Sequence, residues 1–181
     1  MITGESLLND LRDAALVRAA ESRADDAGIL AEQIAVGAIK YQILRQSSNK
    51  DIIFDKVQAL SLDGDSGPYL QYAHARTAQV VAKARAEGVV PVVDVSAEPI
   101  EIVRLVHRFP EIVAHASELR EPHIVAQFLI ELASSFNSWY AQVHIVDGTL
   151  EAPHKVAIAD AVRITLKRGL WILGISAPEK M

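Results

Sequence analysis

The chain contains no cysteine, which excludes disulfides and thiolate metal sites and fits a reducing interior. Aromatic residues are scarce, 6% against 50% hydrophobic overall. Alanine, valine, isoleucine and leucine must therefore fill the core, a balance that favours closely packed helices over an aromatic-rich sandwich of strands. Long apolar runs are missing too: Ile124 to Leu132 is interrupted by Gln127 and Glu131 and is too short to span a bilayer. No N-terminal stretch combines a basic start with an apolar middle, so no signal peptide is expected. These absences predict a soluble, cytoplasmic protein. Positive charge is in deficit, with a net charge of −5. No global basic field announces nucleic acid, and any such contact must rest on a local patch. Phosphate-cradling G-x-x-x-x-G-K-[ST] and G-x-G-x-x-G loops and the G-x-S-x-G nucleophile elbow do not occur. His107, His115 and His123 stand eight apart, not at the i, i+4 spacing of a helical zinc pair, so no metal site is expected.

What remains is helical periodicity. Residues 5–24 read as a helix with Leu7, Leu8, Leu11, Ala14, Ala15 and Val17 on its apolar stripe, and Arg12 and Arg18 elsewhere. A second helix is expected over 29–46, its positions Leu30, Ile34, Gly37, Ala38, Tyr41 and Leu44 fitting a 3.6 period. Gly37 inside it costs ~1 kcal/mol against alanine, which points to close contact with a neighbour. Gln46 to Asn49 is a polar turn, and Asp51 to Asp55, β-branched and bounded by acids, reads as extended. A helix capped by Ser66 and carrying Pro68 in its first turn is expected to run to Glu87 and stop at Gly88. Ile102, Leu105, Val106 and Phe109 predict a short helix broken at Pro110, and Ile112, Val113, Ala116 and Leu119 a second one. From Pro122, residues Val125, Phe128, Leu129, Leu132, Ala133, Phe136 and Tyr140 recur as on a core-facing helix. A loop over 144–153 precedes the last helix, 154–172, with Ile158, Val162, Leu166 and Leu170 on one stripe.

The chemistry-bearing residues cluster at three places. Tyr69, Gln71, Tyr72, His74 and Arg76 arrive together just after the Gly64-Asp65-Ser66-Gly67-Pro68 turn. Tyrosines there are compatible with half-buried packing, or with stacking on unpaired bases while Gln71 reads a base edge and Arg76 holds a phosphate. His74 by itself reads as packing. Asn137, Trp139 and Tyr140 end the most regular helix. Lys155, Arg163, Lys167 and Arg168 lie on the last one, either as a solvated face or as a phosphate-contacting strip.

The string from Gly64 to Arg76 resembles the G-x-S-G-P-Y-x-Q-Y-x-x-x-R segment of arginyl-tRNA synthetases. Glu121-Pro122-His123 through Tyr140 resembles the same family's E-P-H…L-A-x-x-F-x-x-F-Y helix, with Trp139 replacing the more usual phenylalanine. The closing Leu173 to Met181 resembles its C-terminus, and Thr3 to Leu11 the segment shortly after K-M-S-K-S. The class I signatures H-I-G-H and K-M-S-K-S themselves do not occur.

The resemblance implies an all-α helical bundle of the class I anticodon-binding type over 66–181, preceded by a partial helical connective segment over 1–65, the trailing part of the catalytic and stem-contacting region. It implies recognition of the tRNA for arginine by the C-terminal part of a ligase whose full-length form uses ATP and Mg2+. The chain alone is expected to be inactive, to need the N-terminal catalytic part as a partner, and to bind neither membrane nor DNA. The implied tRNA-binding residues are Tyr69, Gln71, Tyr72, Arg76, Asn137, Tyr140, Lys155, Arg163, Lys167 and Met181, with the His144–His154 loop beside them. Lys155 stands where the family usually has arginine and so lacks the bidentate fork; Lys180 likewise replaces the arginine of the terminal P-E-R-M. The alternative is a non-catalytic helical module that binds protein through apolar surface left on residues 1–65. An enzyme of unrelated chemistry has no residue set to support it.

Overall fold

A computed structural model describes every residue except Met1, Ile2, Arg23 and Asn49, and all side chains of the rest except that of Arg18. The expected places of Asn49 in the polar turn and of the Arg18 side chain thus lie outside the described residues. Seven helices are present and no strand is found among the described residues: α1 (Gly4–Ala20), α2 (Ala27–Leu44), α3 (Lys56–Ala59), α4 (Gly67–Ala86), α5 (Glu101–Leu119), α6 (His123–Gln142) and α7 (Ala152–Ile172). The all-α bundle expected from the sequence is what forms. Asp51–Asp55 belongs to no strand; Ile53 is exposed, and Asp55 instead caps α3 by accepting from the amides of Val57 and Gln58.

Helix α4 sits at the centre, packed against α7, α2 and α6. Its start is pinned by four contacts. Ser66 Oγ accepts from the Tyr69 amide at 3.0 Å and its hydroxyl donates to the Ser61 carbonyl. Asp65 accepts from the hydroxyl of Tyr41 and pairs with Arg45 at 2.7 Å, both on the end of α2. Burial, then the bond to Asp65, push the Tyr41 phenol well above the ordinary tyrosine range, so it stays a donor. Gly67 and Gly37 let α4 and α2 touch through their backbones: a Cβ on Gly67 would lie 2.3 Å from the Gly37 carbonyl oxygen.

Two expectations change. Helix α5 runs unbroken through Pro110. Ile102, Leu105 and Ala116 are buried, and Val106, Phe109, Ile112 and Val113 lie half-buried between them, so the apolar stripe is continuous across the proline. Burying such side chains contributes roughly 1.5–3 kcal/mol each, enough to offset the ~3 kcal/mol of an interior proline. In α1 the buried face is Leu11, Ala15 and Ala19; Ala14 and Val17 face solvent. Ala15 and Ala19 join Leu30, Ala31 and Ile34 in a small second core that Met181 completes, while Tyr41 belongs to the main one.

The last eight residues form no helix and run back along α4. Gln71 Nε2 donates to the Ser176 carbonyl at 2.9 Å, His74 Nδ1–H to that of Pro178 at 2.8 Å, and Gln79 Nε2 to that of Glu179 at 3.0 Å. Lys40 donates to the Gly174 carbonyl and Lys180 pairs with Asp25 at 2.7 Å. Burial pushes the His74 imidazole below the ordinary histidine value, helped by the charges of Lys167 and Arg163 and opposed by the Pro178 bond and Glu179.

Two outcomes follow. Gly67→Ala should destabilise the chain by about 1–3 kcal/mol in urea unfolding despite alanine's better helix propensity, because neither backbone can yield. Since His74 resists protonation in the fold, its contribution is complete above the unfolded value of about 6.5 and is lost as pH falls below it, at up to about 1.4 kcal/mol per pH unit. His74→Asn, which keeps an N–H donor and cannot titrate, should flatten that slope when thermal unfolding is followed between pH 7.5 and 5.5.

Candidate nucleic-acid interface

Tyr72, Arg76, Gln79 and Lys83 follow one another at i, i+4, i+7 and i+11 on α4 and share one face. They form the floor of an open hollow of about 500 Å³, closed on one side by Tyr140 of α6 and on the other by Lys180 and Met181. At its centre the Arg76 guanidinium is held between two rings, its carbon 4.7 Å from the Tyr72 centroid and 5.2 Å from that of Tyr140. Arg76 Nη1 donates to Asn137 Oδ1 at 2.7 Å and Nη2 to the Tyr72 hydroxyl at 3.1 Å. Asn137 Nδ2 in turn donates to the Tyr69 hydroxyl at 3.0 Å. The Tyr140 ring stacks on Phe136, 5.9 Å away, which is fully buried; Tyr140 itself is 40% exposed.

This arrangement has a clear chemical character. Two aromatic faces and a planar cation meet in one place, oriented by Asn137 from the neighbouring helix. Two of the five guanidinium donors are engaged, which leaves the others for a base edge or a phosphate. Tyr140 offers a ring face fixed from behind by Phe136, a stacking platform with little rotamer freedom left to lose.

The site residues expected from the sequence thus separate. Tyr72, Arg76, Asn137, Tyr140 and Met181 come together, with Tyr69 half-buried behind Asn137 as its support. Gln71 does not join them. It is fully buried and donates to the backbone carbonyls of Gln33 and Ser176, so it braces the fold and reads no base from there. The basic strip on α7 also corrects. Lys155 pairs with Asp147 at 2.8 Å and with Glu151 at 3.4 Å, Arg163 with Asp160 at 2.7 Å, and Lys167 with Glu179 at 3.5 Å. They border three separate hollows, none of which includes Tyr72 or Tyr140. A helix of this length turns several times, so basic residues spread along it need not share a face.

In the 144–153 loop, Ile145 and Val146 are buried anchors, and Asp147 accepts from Lys155, Thr149 Oγ1 and the Thr149 amide. The Lys155 bond first, then those from Thr149, hold the Asp147 carboxyl far below the usual carboxylate range. The same bond raises Lys155. Gln79, Lys83 and Lys180 were missed as lining residues. The first two were legible, since they continue the spacing of Tyr72 and Arg76; Lys180 was not, because only the fold brings it there.

Among the described residues no group of histidine and carboxylate side chains is placed to hold a metal, and no helix is long and apolar enough to cross a membrane. Comparison with known proteins agrees with the geometry. The family description "DALR anticodon binding domain" matches residues 70–181. The arginine–tRNA ligase of Lactococcus lactis subsp. cremoris is 38% identical over 155 residues, covering 84% of this chain and 28% of the relative. That of Pyrococcus furiosus is 35% identical over 165 residues, covering 84% and 26%. The Thermus thermophilus arginyl-tRNA synthetase structure superposes with a TM-score of 0.87 at 30% identity, over 99% of this chain and 32% of that one. The Plasmodium falciparum enzyme gives a TM-score of 0.80 over 100% of this chain and 34% of that one, and at 20% identity it bears on the fold alone. This chain spans about a quarter to a third of these relatives' length and aligns with their C-terminal region. It is a member of the DALR anticodon-binding domain family.

Proposed function

We propose that the chain recognises the anticodon loop of the tRNA for arginine, as the C-terminal part of an arginine–tRNA ligase. The observation that carries this reading is the Arg76 guanidinium held between Tyr72 and Tyr140 in the lining of an open hollow. Unpaired RNA bases are recognised by stacking on tyrosine and on guanidinium planes, with polar groups at the base edges. Tyr140 supplies the exposed ring, Arg76 the planar charge, and Asn137 fixes both helices in register through Tyr69 and Arg76. Lys83 and Lys180, each in a solvent-exposed ion pair, can exchange a carboxylate for a backbone phosphate at small cost.

The ligation step, with its ATP and Mg2+, belongs in this reading to the portion of the ligase outside this chain. Residues 1–65 would then connect that portion to the recognition bundle over 66–181. Their exposed Leu16, Val17 and Ile29 suit such a junction.

Titration of the chain with the arginine tRNA and with a tRNA of another specificity tests the assignment. Preference for the first, with affinity falling steeply between 50 and 200 mM salt, is expected. Equal binding, or none at either salt, would favour the protein-interaction module instead. Tyr140→Ala should weaken the complex by about 1–3 kcal/mol while leaving the fold intact by circular dichroism, since one stacked base is lost.

A further inference from the structure

The wall of the hollow opposite Tyr140 is made by Lys180 and Met181, which lie on no regular element. The amides of Gly174 and Ile175 bond the carbonyls of Trp171 and Leu170, and Lys40 of α2 holds the Gly174 carbonyl. Beyond Ile175 the segment is irregular and has no hydrogen-bond ladder of its own. The donors come from α4: Gln71, His74 and Gln79 reach the carbonyls of Ser176, Pro178 and Glu179. Two of these are costly: Gln71 and His74 are fully buried, and Gln71 Oε1 and His74 Nε2 have no hydrogen-bond partner among the described residues. His74 is the one bonded nearest to Lys180 and Met181. A leucine would fill that space without an orphaned nitrogen, so packing alone does not account for a histidine here. What the imidazole adds is one N–H, aimed at Pro178.

We propose that His74 is a positioning residue for the RNA hollow: its bond to the Pro178 carbonyl sets where Lys180 and Met181 stand. The geometry requires the tautomer with hydrogen on Nδ1, since a carbonyl can only accept. The charged groups around the ring are Lys167 and Arg163 from α7, which together with burial favour the uncharged ring, and Glu179 from the tail, which with the Pro178 bond opposes them. Two residues beyond Pro178, Lys180 meets Asp25, and Met181 packs on Ala15, Ala19, Leu30 and Ile34, so the tail is tied at both ends and His74 holds its middle. The inference rests on the RNA-binding reading above.

The test is a cycle in the full chain. His74→Leu should bind the arginine tRNA about ten-fold more weakly, and His74→Asn, whose Nδ2–H replaces the lost donor, within about two-fold of the parent. In a Lys180→Ala/Met181→Ala background, His74→Leu should cause no further loss, because the wall it positions is already gone. Additive losses would overturn the inference, as would a folded His74→Leu variant that binds like the parent. If His74→Leu does not fold, Lys40→Met enters the same cycle; Lys40 is exposed, bonds the tail at the Gly174 carbonyl and does not line the hollow, and its loss too should vanish in the double-alanine background. Amide exchange over 175–181 gives a readout that needs no RNA. It should be faster in His74→Leu than in His74→Asn; equal exchange would sink the positioning role. A parent chain with no affinity for any tRNA would instead refute the recognition reading, whatever the tail does.

Discussion

The structure depends on the near-contact of two helix backbones. Gly67 of α4 lies so close to the Gly37 backbone of α2 that it has no room for a methyl group, and a methyl on Gly37 would meet the buried Gln71 amide. That approach brings Gln71 against Gly37 and lets its amide reach both the Gln33 carbonyl and the returning tail. Everything built on α4 inherits its position from there. Tyr72 and Arg76 begin one residue after the Gln71 brace, and the tail that walls their hollow is held by donors on the same helix.

A helix surrounded on several sides has no outward polar face to spend on solvent. The polar side chains of α4 are therefore turned to structural use wherever they are buried. Thr77 donates back to the His74 carbonyl within the helix, Gln71 and His74 bond the tail, and Ser66 caps the first turn. The strip carrying Tyr72, Arg76, Gln79 and Lys83 reaches the surface, as does the last turn with Arg85, and on that strip the cation–ring stack replaces core packing. The rigidity of the site and the burial behind it have a common origin: Phe136, which backs Tyr140, is fully buried in the main core.

Much of this was visible beforehand. The Ser66 cap, the glycine stop at 88 and the apolar stripes of α2, α6 and α7 follow from spacing and capping chemistry, and the stripes are buried except at Leu44, which is half-buried, and Tyr140, which is exposed. The close approach at Gly37 was legible because a glycine within a helix needs a reason. Pro110 misled because a local penalty was weighed without the stripe that runs past it on both sides. Gln71 misled because it shares a segment with Tyr72 and Arg76 but not a face: one residue along a helix is a rotation of about 100°. The ion pairs of Lys155, Arg163 and Lys167 were hidden for a different reason, since the charges that neutralise them lie on a loop, a neighbouring turn and the tail respectively.

The sequence by itself determined the cap and stop of α4, the apolar stripes of α2, α6 and α7 and which side chains have the chemistry to meet RNA, because capping, periodicity and residue type are local properties. It also carried the family resemblance, which needs no coordinates. Only the tertiary structure decided which of those side chains look outward. A helical period says which residues lie on one side, but not what stands opposite. On α4, the helices α2 and α7 and the tail cover Gln71 and His74 and leave Arg76 between two rings, and that distinction arises from contacts between residues 38 to 105 apart in the chain.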